Sequence, residues 1–428
     1  MNILILTNTF TPHVGGVARS VAAFTEEYRT RGHRVLVVAP EFPDMPQDEI
    51  DVVRIPAIQN FNASDFSVVL PIHSALSETI DAFRPDIVHS QHPFLLGMTA
   101  VRIARRRGLP LVFTHHTLYE RYTHYVPGDS PALKRFTIEL ATRYANLADQ
   151  VFAPSESIRD LLQQRGVVTP ITVVPTGVRL EHFAHGDGPA FRRQMGIPED
   201  AFVVGHLGRL APEKNLEFLA QAVADFVGSR PHAHFLVIGS GPSEPAMRDV
   251  FARAGLEARL HVAGILQQQA LADALHAMDL FAFASTSETQ GMVLTEAMAA
   301  GLPVVALDAP GAREVVRDQQ NGRLLREATP ATFNAALQWV AGLPAESLRD
   351  LQHAARETAE TFSMPRSADK ALACYEALKS GAAVESGKDE SAWEEVMTAI
   401  RTEWDILKSV AGAGDAALGA GLFSDKED

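Results

Sequence analysis

Cysteine is nearly missing: Cys374 is the one cysteine in 428 residues. That excludes an internal disulfide and a cysteine-built zinc cage, and it makes a reducing, cytoplasmic compartment the expected one. Long apolar runs are missing too. None approaches the roughly 18 residues of a spanning helix, and residues 1–7 show neither a basic lead-in nor a small-residue cleavage site, so the start reads as a buried strand rather than a signal peptide. Positive charge is in short supply, with 38 Lys and Arg against 52 Asp and Glu for a net of −14. Such acidity argues against a nucleic-acid partner, whose phosphates require a basic footprint. No Gly-x-Gly-x-x-Gly fingerprint is present, which disfavours a nicotinamide dehydrogenase. No expected strand ends in an Asp-x-Asp pair, so neither a metal nor another cofactor is expected.

Apolar residues make up 46% and charged residues 21%, enough to bury cores along most of the chain, and the length corresponds to two domains or three. The acidity is unevenly placed. Residues 380–428 hold 4 basic and 11 acidic residues, a net of −7, half the total, whereas residues 1–180 are balanced at 17 of each. Within the balanced part, residues 99–145 carry 8 basic against 3 acidic residues and form the one basic island.

Short β-branched runs alternate with amphipathic segments, the pattern of parallel βαβ units covered by helices on both sheet faces, so the class is α/β. In the first half, strands are predicted over 2–7, 34–39, 86–90, 111–114, 150–153 and 171–174, and helices near 17–31, 93–107, 131–148 and 156–165, the last with Ser155 as N-cap. The stretch 176–200 is rich in Gly, Pro and acid and reads as an interdomain linker. Strands then follow over 202–207, 234–238, 260–262, 280–284, 304–307 and 322–325. This gives two doubly wound domains, 1–180 and 181–378, and a tail, 379–428. In the tail, Trp393, Val396, Met397, Ile400, Trp404 and Leu407 make an amphipathic stripe. It would pack on the body or a partner subunit, or lie on a membrane; its acidic face favours the former.

Four loops at expected strand ends carry the chemistry. Gly15 and Gly16 follow the first strand and open the first helix, where paired glycines let backbone amides approach an anion, although turn geometry alone also explains them. Gly208-Arg-Leu-Ala-Pro-Glu-Lys-Asn215 follows the first strand of the second half and supplies Arg209 and Lys214, cations suited to a leaving diphosphate or simply solvated. Gly239-Ser-Gly241 ends the next strand and lets a backbone approach a nucleotide, on weak grounds by itself. In the stretch 285–305, Glu288 precedes a helix expected to start near Gly291, and Glu296 lies one to two turns inside it. The amides of Gly291, Met292 and Val293 would meet a phosphate there. A pair of glycosidase carboxylates needs opposite sides of a scissile bond, which one loop and its helix do not offer.

With the Glu288-x7-Glu296 element, the following EAMAAGLPVVA, the GRLAPEKN loop, the GSG turn and the N-terminal GG loop in order, the chain resembles the family-4 retaining glycosyltransferases over residues 1 to about 375. The resemblance implies a GT-B fold of two Rossmann-like domains facing a cleft. It implies transfer of a hexose, with retention, from a nucleotide diphosphate sugar, UDP-glucose for preference, without metal. By resemblance, Glu296 binds the donor ribose, Glu288 the sugar hydroxyls, Gly291 to Val293 the diphosphate, Gly16 the β-phosphate, and the backbone of Gly264 and Ile265 the base. Arg209 and Lys214 offset leaving-group charge, and His116 lies near donor sugar and acceptor, with His115 structural. A GG pair usual after PVVA is replaced by LDAPGAREVV, which puts amide contacts at Pro310 and Gly311 in question. That variant, SETQG and HTLYERYTHYVP look most like bacterial diacylglycerol glucosyltransferases. A lipid acceptor would suit the basic island, where Arg105, Arg106 and Arg107 with Tyr119, Tyr122 and Tyr125 would hold an anionic membrane surface on the inner face, unless the arginines are a solvated helix end. The alternatives are a soluble or polysaccharide acceptor and, in another class, a silent sugar-nucleotide-binding scaffold.

Overall fold

The structure, a computed structural model, describes residues 1–13, 15–58, 68–69, 74–121 and 130–381. Tyr122, Tyr125 and the stripe from Trp393 to Leu407 lie outside the described residues. In chain order the first part contains β1 (Asn2–Leu6), α1 (Gly16–Thr30), β2 (Arg34–Pro40), β3 (Val52–Ile55), β4 (Ala57–Ile58), β5 (Val68–Val69), α2 (Ser74–Phe83), β6 (Ile87–Ser90), α3 (Leu96–Arg107), β7 (Leu111–Thr114), α4 (Pro131–Ala145), β8 (Gln150–Ala153), α5 (Glu156–Gln164) and β9 (Ile171–Val173). There follow α6 (Leu180–Phe183), α7 (Gly188–Met195), β10 (Phe202–Leu207), α8 (Leu216–Ser229), β11 (Ala233–Ile238), α9 (Glu244–Arg253), β12 (Leu260–Val262) and α10 (Gln268–His276). The remainder is β13 (Leu280–Phe283), α11 (Met292–Ala299), β14 (Val304–Leu307), α12 (Ala312–Val315), β15 (Gly322–Leu325), α13 (Pro330–Ala341), α14 (Ala345–Thr361) and α15 (Met364–Gly381).

The chain forms two compact units, one of Met1–Pro154, Arg159–Val173 and the segment from Ala371, the other of Ser155–Ile158 and Val174–Lys370. The first unit's sheet has the order β3-β2-β1-β6-β7-β8-β9, the second's β12-β11-β10-β13-β14-β15. Every pairing within both is parallel. These are two Rossmann-like sheets. In each, strand order reverses beside the first strand, between β1 and β6 and between β10 and β13, and such a reversal opens a crevice at the strands' carboxyl ends. The strands read as continuous apolar runs because both faces are covered. Val203, Leu236, Phe281 and Phe283 face one apolar cluster of the second unit, while Val204, Phe235, Val237 and Leu280 face the other.

The stretch 176–200 is not a linker. It belongs to the second unit and folds into α6 and α7, burying Phe183 and Phe191. Its glycines serve close packing: a Cβ on Gly188 would lie 2.2 Å from the carbonyl oxygen of His276. At the other end the division read at 378 comes earlier, at Ala371, because the second half of α15 packs into the first unit through a buried polar chain. Tyr28 donates to the Tyr375 hydroxyl at 3.4 Å, that hydroxyl lies 2.6 Å from His89 Nδ1, and His89 Nε2 lies 2.7 Å from Thr114 Oγ1. Cys374, half-buried beside Tyr375, has its sulfur 3.7 Å from Thr172 Oγ1. Replacing Tyr375 by Phe strands a buried imidazole nitrogen and is expected to lower unfolding stability by about 1–3 kcal/mol. Urea unfolding of the wild type and Tyr375→Phe checks this.

Candidate active site

In the second unit the loops leaving β10, β11 and β12 are laid backbone against backbone. Leu210 donates from its amide to the Ser240 carbonyl at 2.9 Å, Ser243 to the Leu210 carbonyl at 2.8 Å, and Gly239 to the Gly264 carbonyl at 2.7 Å. This approach requires glycine at 239, where a Cβ would sit 1.9 Å from the Gly208 carbonyl oxygen. Ile265, next to Gly264, is 60% exposed, an open apolar side chain beside these backbones.

The loop after β13 is tied to the loop after β10 at the order reversal. Lys214 Nζ donates to Glu288 Oε1 at 2.5 Å, Ser287 Oγ to the Glu213 carbonyl at 3.0 Å, and Asn215 Nδ2 to the Ala284 carbonyl at 3.3 Å. Arg209 is paired with Glu213. The same loop is held from its other side: the Gln290 amide accepts from the Thr176 amide at 2.7 Å and donates to the Thr176 carbonyl at 2.6 Å, and Ser155 Oγ donates to the Thr289 carbonyl at 2.7 Å. Ser155 also accepts from the Ile158 amide at 3.3 Å, as its N-cap assignment requires. The loop ends at Gly291, whose φ of 72° is left-handed and which caps α11 without a side chain. The first amides of α11, those of Met292 and Val293, therefore open beside Glu288 with no side-chain cap, an anion-binding arrangement reinforced by the helix dipole. Glu296, one turn on, is 4% exposed. Gly311, in the variant segment after β14, has φ 83° and lies against this loop, so close that a Cβ there would be 2.9 Å from the Cβ of Glu288.

In the first unit, Gly15 is the N-cap of α1 and Gly16 its exposed first residue. Arg54 holds their loop from below. It forms a two-legged pair with Glu49, donates to the Thr11 carbonyl at 2.6 Å and the Pro40 carbonyl at 2.9 Å, and lies over the Phe10 ring. After β7, His116 donates from Nε2 to Gln91 Oε1 at 2.6 Å. Burial pushes His116 down to about 4, so its imidazole is neutral with the lone pair on Nδ1. Burial, with the charge of His116 added, pushes His89 and His92 down to about 3. His115 is also pushed down to about 3, by burial, Arg165 and His116.

A model of glycosyltransferase family 4 matches residues 14–182, and one of the glycosyl transferases group 1 matches residues 187–358. The chain is 29% identical over 330 residues to an alpha-monoglucosyldiacylglycerol synthase of Streptococcus pneumoniae, covering 76% of this chain and 75% of that one. It is 30% identical over 394 residues to a GDP-mannose-dependent alpha-mannosyltransferase of Mycobacterium tuberculosis, covering 89% and 97%. The chain belongs to the family-4 glycosyltransferases. It is 33% identical over 312 residues to a D-inositol 3-phosphate glycosyltransferase of Segniliparus rotundus, covering 71% and 69%. Its fold is that of sucrose-phosphate synthase from Thermosynechococcus elongatus, with TM-score 0.71, 20% identity and 89% and 99% of the chains covered. HepE of Anabaena in complex with UDP-glucose has the same fold, at TM-score 0.66 and 22% identity over 87% and 100%. The protein is thus a glycosyltransferase of the GT-B type.

Of the residues expected in this glycosyltransferase, Gly208, Arg209, Lys214, Gly239, Gly264, Ile265, Glu288, Gly291, Met292, Val293 and Glu296 are all in the second unit, with Gly15, Gly16 and His116 in the first. The basic island needs correcting. Tyr119 is no surface anchor: its ring meets Phe94 and His115 edge-on, its hydroxyl is buried, and burial raises its pKa. Arg107 is bound to Asp81 at 2.6 Å and to Ser77 Oγ at 3.0 Å. With Arg105 and Arg106 it fills the last turn of α3, where cations complement the helix dipole. Arg106 is exposed.

Sequence reasoning missed Gln290 and His206. The first clamps the loop by imitating a backbone partner, for which no pattern exists. The second reads as a strand core residue. It donates from Nδ1 to the Ala282 carbonyl at 3.1 Å between Phe281 and Phe283, and is pushed down to about 4 mainly by burial.

His89, His92 and His115, buried in the first unit, and the half-buried His116 set a pH dependence. Each stays neutral in the fold but takes up a proton near pH 6.5 once unfolded, so its stabilising effect is complete above that pH and is lost as pH falls toward 4 and then 3. Each contributes about 1.4 kcal/mol per pH unit in that window. Denaturant unfolding between pH 7 and pH 4.5 is expected to show the decline, and His115→Phe to reduce its slope by about one proton.

Proposed function

We propose that this family-4 glycosyltransferase is a retaining hexosyltransferase that moves glucose from UDP-glucose to the hydroxyl of a glycolipid acceptor such as diacylglycerol. The observation that carries the donor half is the Lys214–Glu288 pair beside the uncapped start of α11. It sets a cation, a sugar-hydroxyl acceptor and helix amides at one strand-order reversal. In this reading the diphosphate meets the amides of Met292 and Val293 with Arg209 and Lys214, Glu288 takes the sugar hydroxyls, and Glu296 the ribose.

Chemically, the bond from the anomeric carbon to the phosphate oxygen breaks and the acceptor oxygen attacks from the same face. The acceptor proton passes to the departing phosphate oxygen, and the nucleotide diphosphate leaves. Charge grows on the diphosphate during the step, so fixed cations and amides favour the transition state over the bound donor. His116, held neutral and oriented by Gln91, is assigned to the acceptor hydroxyl. No metal or other cofactor takes part in this reading.

The acceptor half is supported by the relatives named as glucosyldiacylglycerol synthases and by the exposed Arg106 on α3. No helix among the described residues is long and apolar enough to cross a membrane; in this reading the protein meets a lipid acceptor at the membrane surface. A second reading, a soluble acceptor, draws on the burial of Tyr119 and the engagement of Arg107 with Asp81, which remove two groups expected to meet lipid.

Radiolabelled UDP-glucose, UDP-galactose and GDP-mannose, each offered with total lipid extract or inositol phosphates, are the test. Label from UDP-glucose should enter the lipid phase as the α-anomer; transfer only to a water-soluble product would sink the lipid reading. Lys214→Ala and Arg209→Ala are expected to lower kcat by about 10²-fold with a much smaller change in KM. A raised KM at unchanged kcat would remove them from the transition state.

A further inference from the structure

Two arginine–glutamate pairs in this chain are built for different purposes. Arg54 and Glu49 are joined by both carboxylate oxygens, with side chains 10% and 13% exposed, and Arg54 also donates to two backbone carbonyls. That pair stitches a loop. The Arg209–Glu213 pair instead runs from one guanidinium nitrogen to Oε1 alone, with Arg209 43% exposed and Glu213 only 9%. The other oxygen of Glu213, Oε2, is buried and has no hydrogen-bond partner among the described residues.

A carboxylate placed to stitch the loop would have both oxygens used, since each unsatisfied buried acceptor is destabilising. The loop is instead fastened by the backbone carbonyl of Glu213, which accepts from Ser287 Oγ at 3.0 Å, and by Lys214 and Asn215. The one described polar contact of the Glu213 carboxylate is therefore Arg209, the exposed cation at the donor loops.

We infer that Glu213 is a positioning residue that acts through Arg209: an internal counter-ion that holds the guanidinium at the diphosphate site and competes with the diphosphate for it. The inference rests on the diphosphate reading of Arg209. Binding of a nucleoside diphosphate draws Arg209 from the carboxylate, and departure of the product is assisted as the carboxylate takes the guanidinium back. The pair limits how tightly diphosphate is held, which matters for an enzyme whose product carries the same diphosphate as its donor.

Calorimetric titration with inorganic pyrophosphate and with UDP, on wild type, Glu213→Gln, Arg209→Ala and the double variant, tests this. Glu213→Gln is expected to tighten pyrophosphate and UDP about tenfold, and in the Arg209→Ala background the gain should shrink to within about twofold. Unchanged or weaker binding by Glu213→Gln, with Arg209→Ala weakening it, overturns the counter-ion role while leaving Arg209 at the diphosphate. A gain that persists in full without Arg209 also overturns it. If Arg209→Ala leaves both affinities unchanged, the diphosphate reading of Arg209 itself fails. Should Glu213→Gln not fold, Glu213→Asp withdraws the carboxylate by one methylene. It is expected to tighten pyrophosphate in the same direction by about threefold, and weaker binding by it overturns the role.

Discussion

Lys214 and Glu288, 2.5 Å apart and only 16% and 17% exposed, join the two loops that flank the strand-order reversal of the second unit. A half-buried ion pair of this kind loses much of its hydration, and its Coulomb attraction offsets that loss only when the geometry is held from both sides. Here it is. Ser287 and Asn215 add hydrogen bonds between the same loops, while Gln290 and Ser155 anchor the far side of the 285–291 loop. The start of α11 inherits its position from this scaffold, so its amides and Lys214 are organised before any ligand arrives. Preorganisation of charge is the property that a group-transfer site with an anionic leaving group needs most.

Much of this could be read from residue order alone. Parallel strands buried on both faces must be continuous apolar runs, and the runs at 111–114, 150–153, 202–207, 260–262, 304–307 and 322–325 coincide with β7, β8, β10, β12, β14 and β15. The loops with chemistry were visible because an open α/β sheet binds at strand carboxyl ends, and glycines, cations and carboxylates there stand out against apolar neighbours. Edge strand β3, with three of its four residues half-buried, carries no such run. Glycine and proline were ambiguous in 176–200: Gly186 and Gly188 lie against α10 where no side chain would fit, a reason for glycine that composition does not separate from a flexible linker.

The least legible features depend on pairing between residues far apart in sequence. Tyr375 belongs with the first unit because His89 and Tyr28 meet its hydroxyl, 286 and 347 positions away. Tyr119, by position an anchor among basic residues, has its ring edge-on to Phe94 and to His115. Arg107, by position a membrane-facing or solvated cation, is paired with Asp81. Local spacing reports which groups share a loop or a helix face; it does not report which charges neutralise one another. Electrostatic function is therefore the last thing a sequence reveals.

The central claim is that the Lys214–Glu288 pair divides the donor, phosphate to Lys214 and sugar to Glu288. Calorimetry of Glu288→Gln with UDP and with UDP-glucose tests it most directly. The division predicts that UDP affinity is kept or increased, because Lys214 loses its internal partner, while any advantage of UDP-glucose over UDP disappears. Equal loss of both affinities would contradict it, and would make the pair a loop fastener with no share in recognising the sugar.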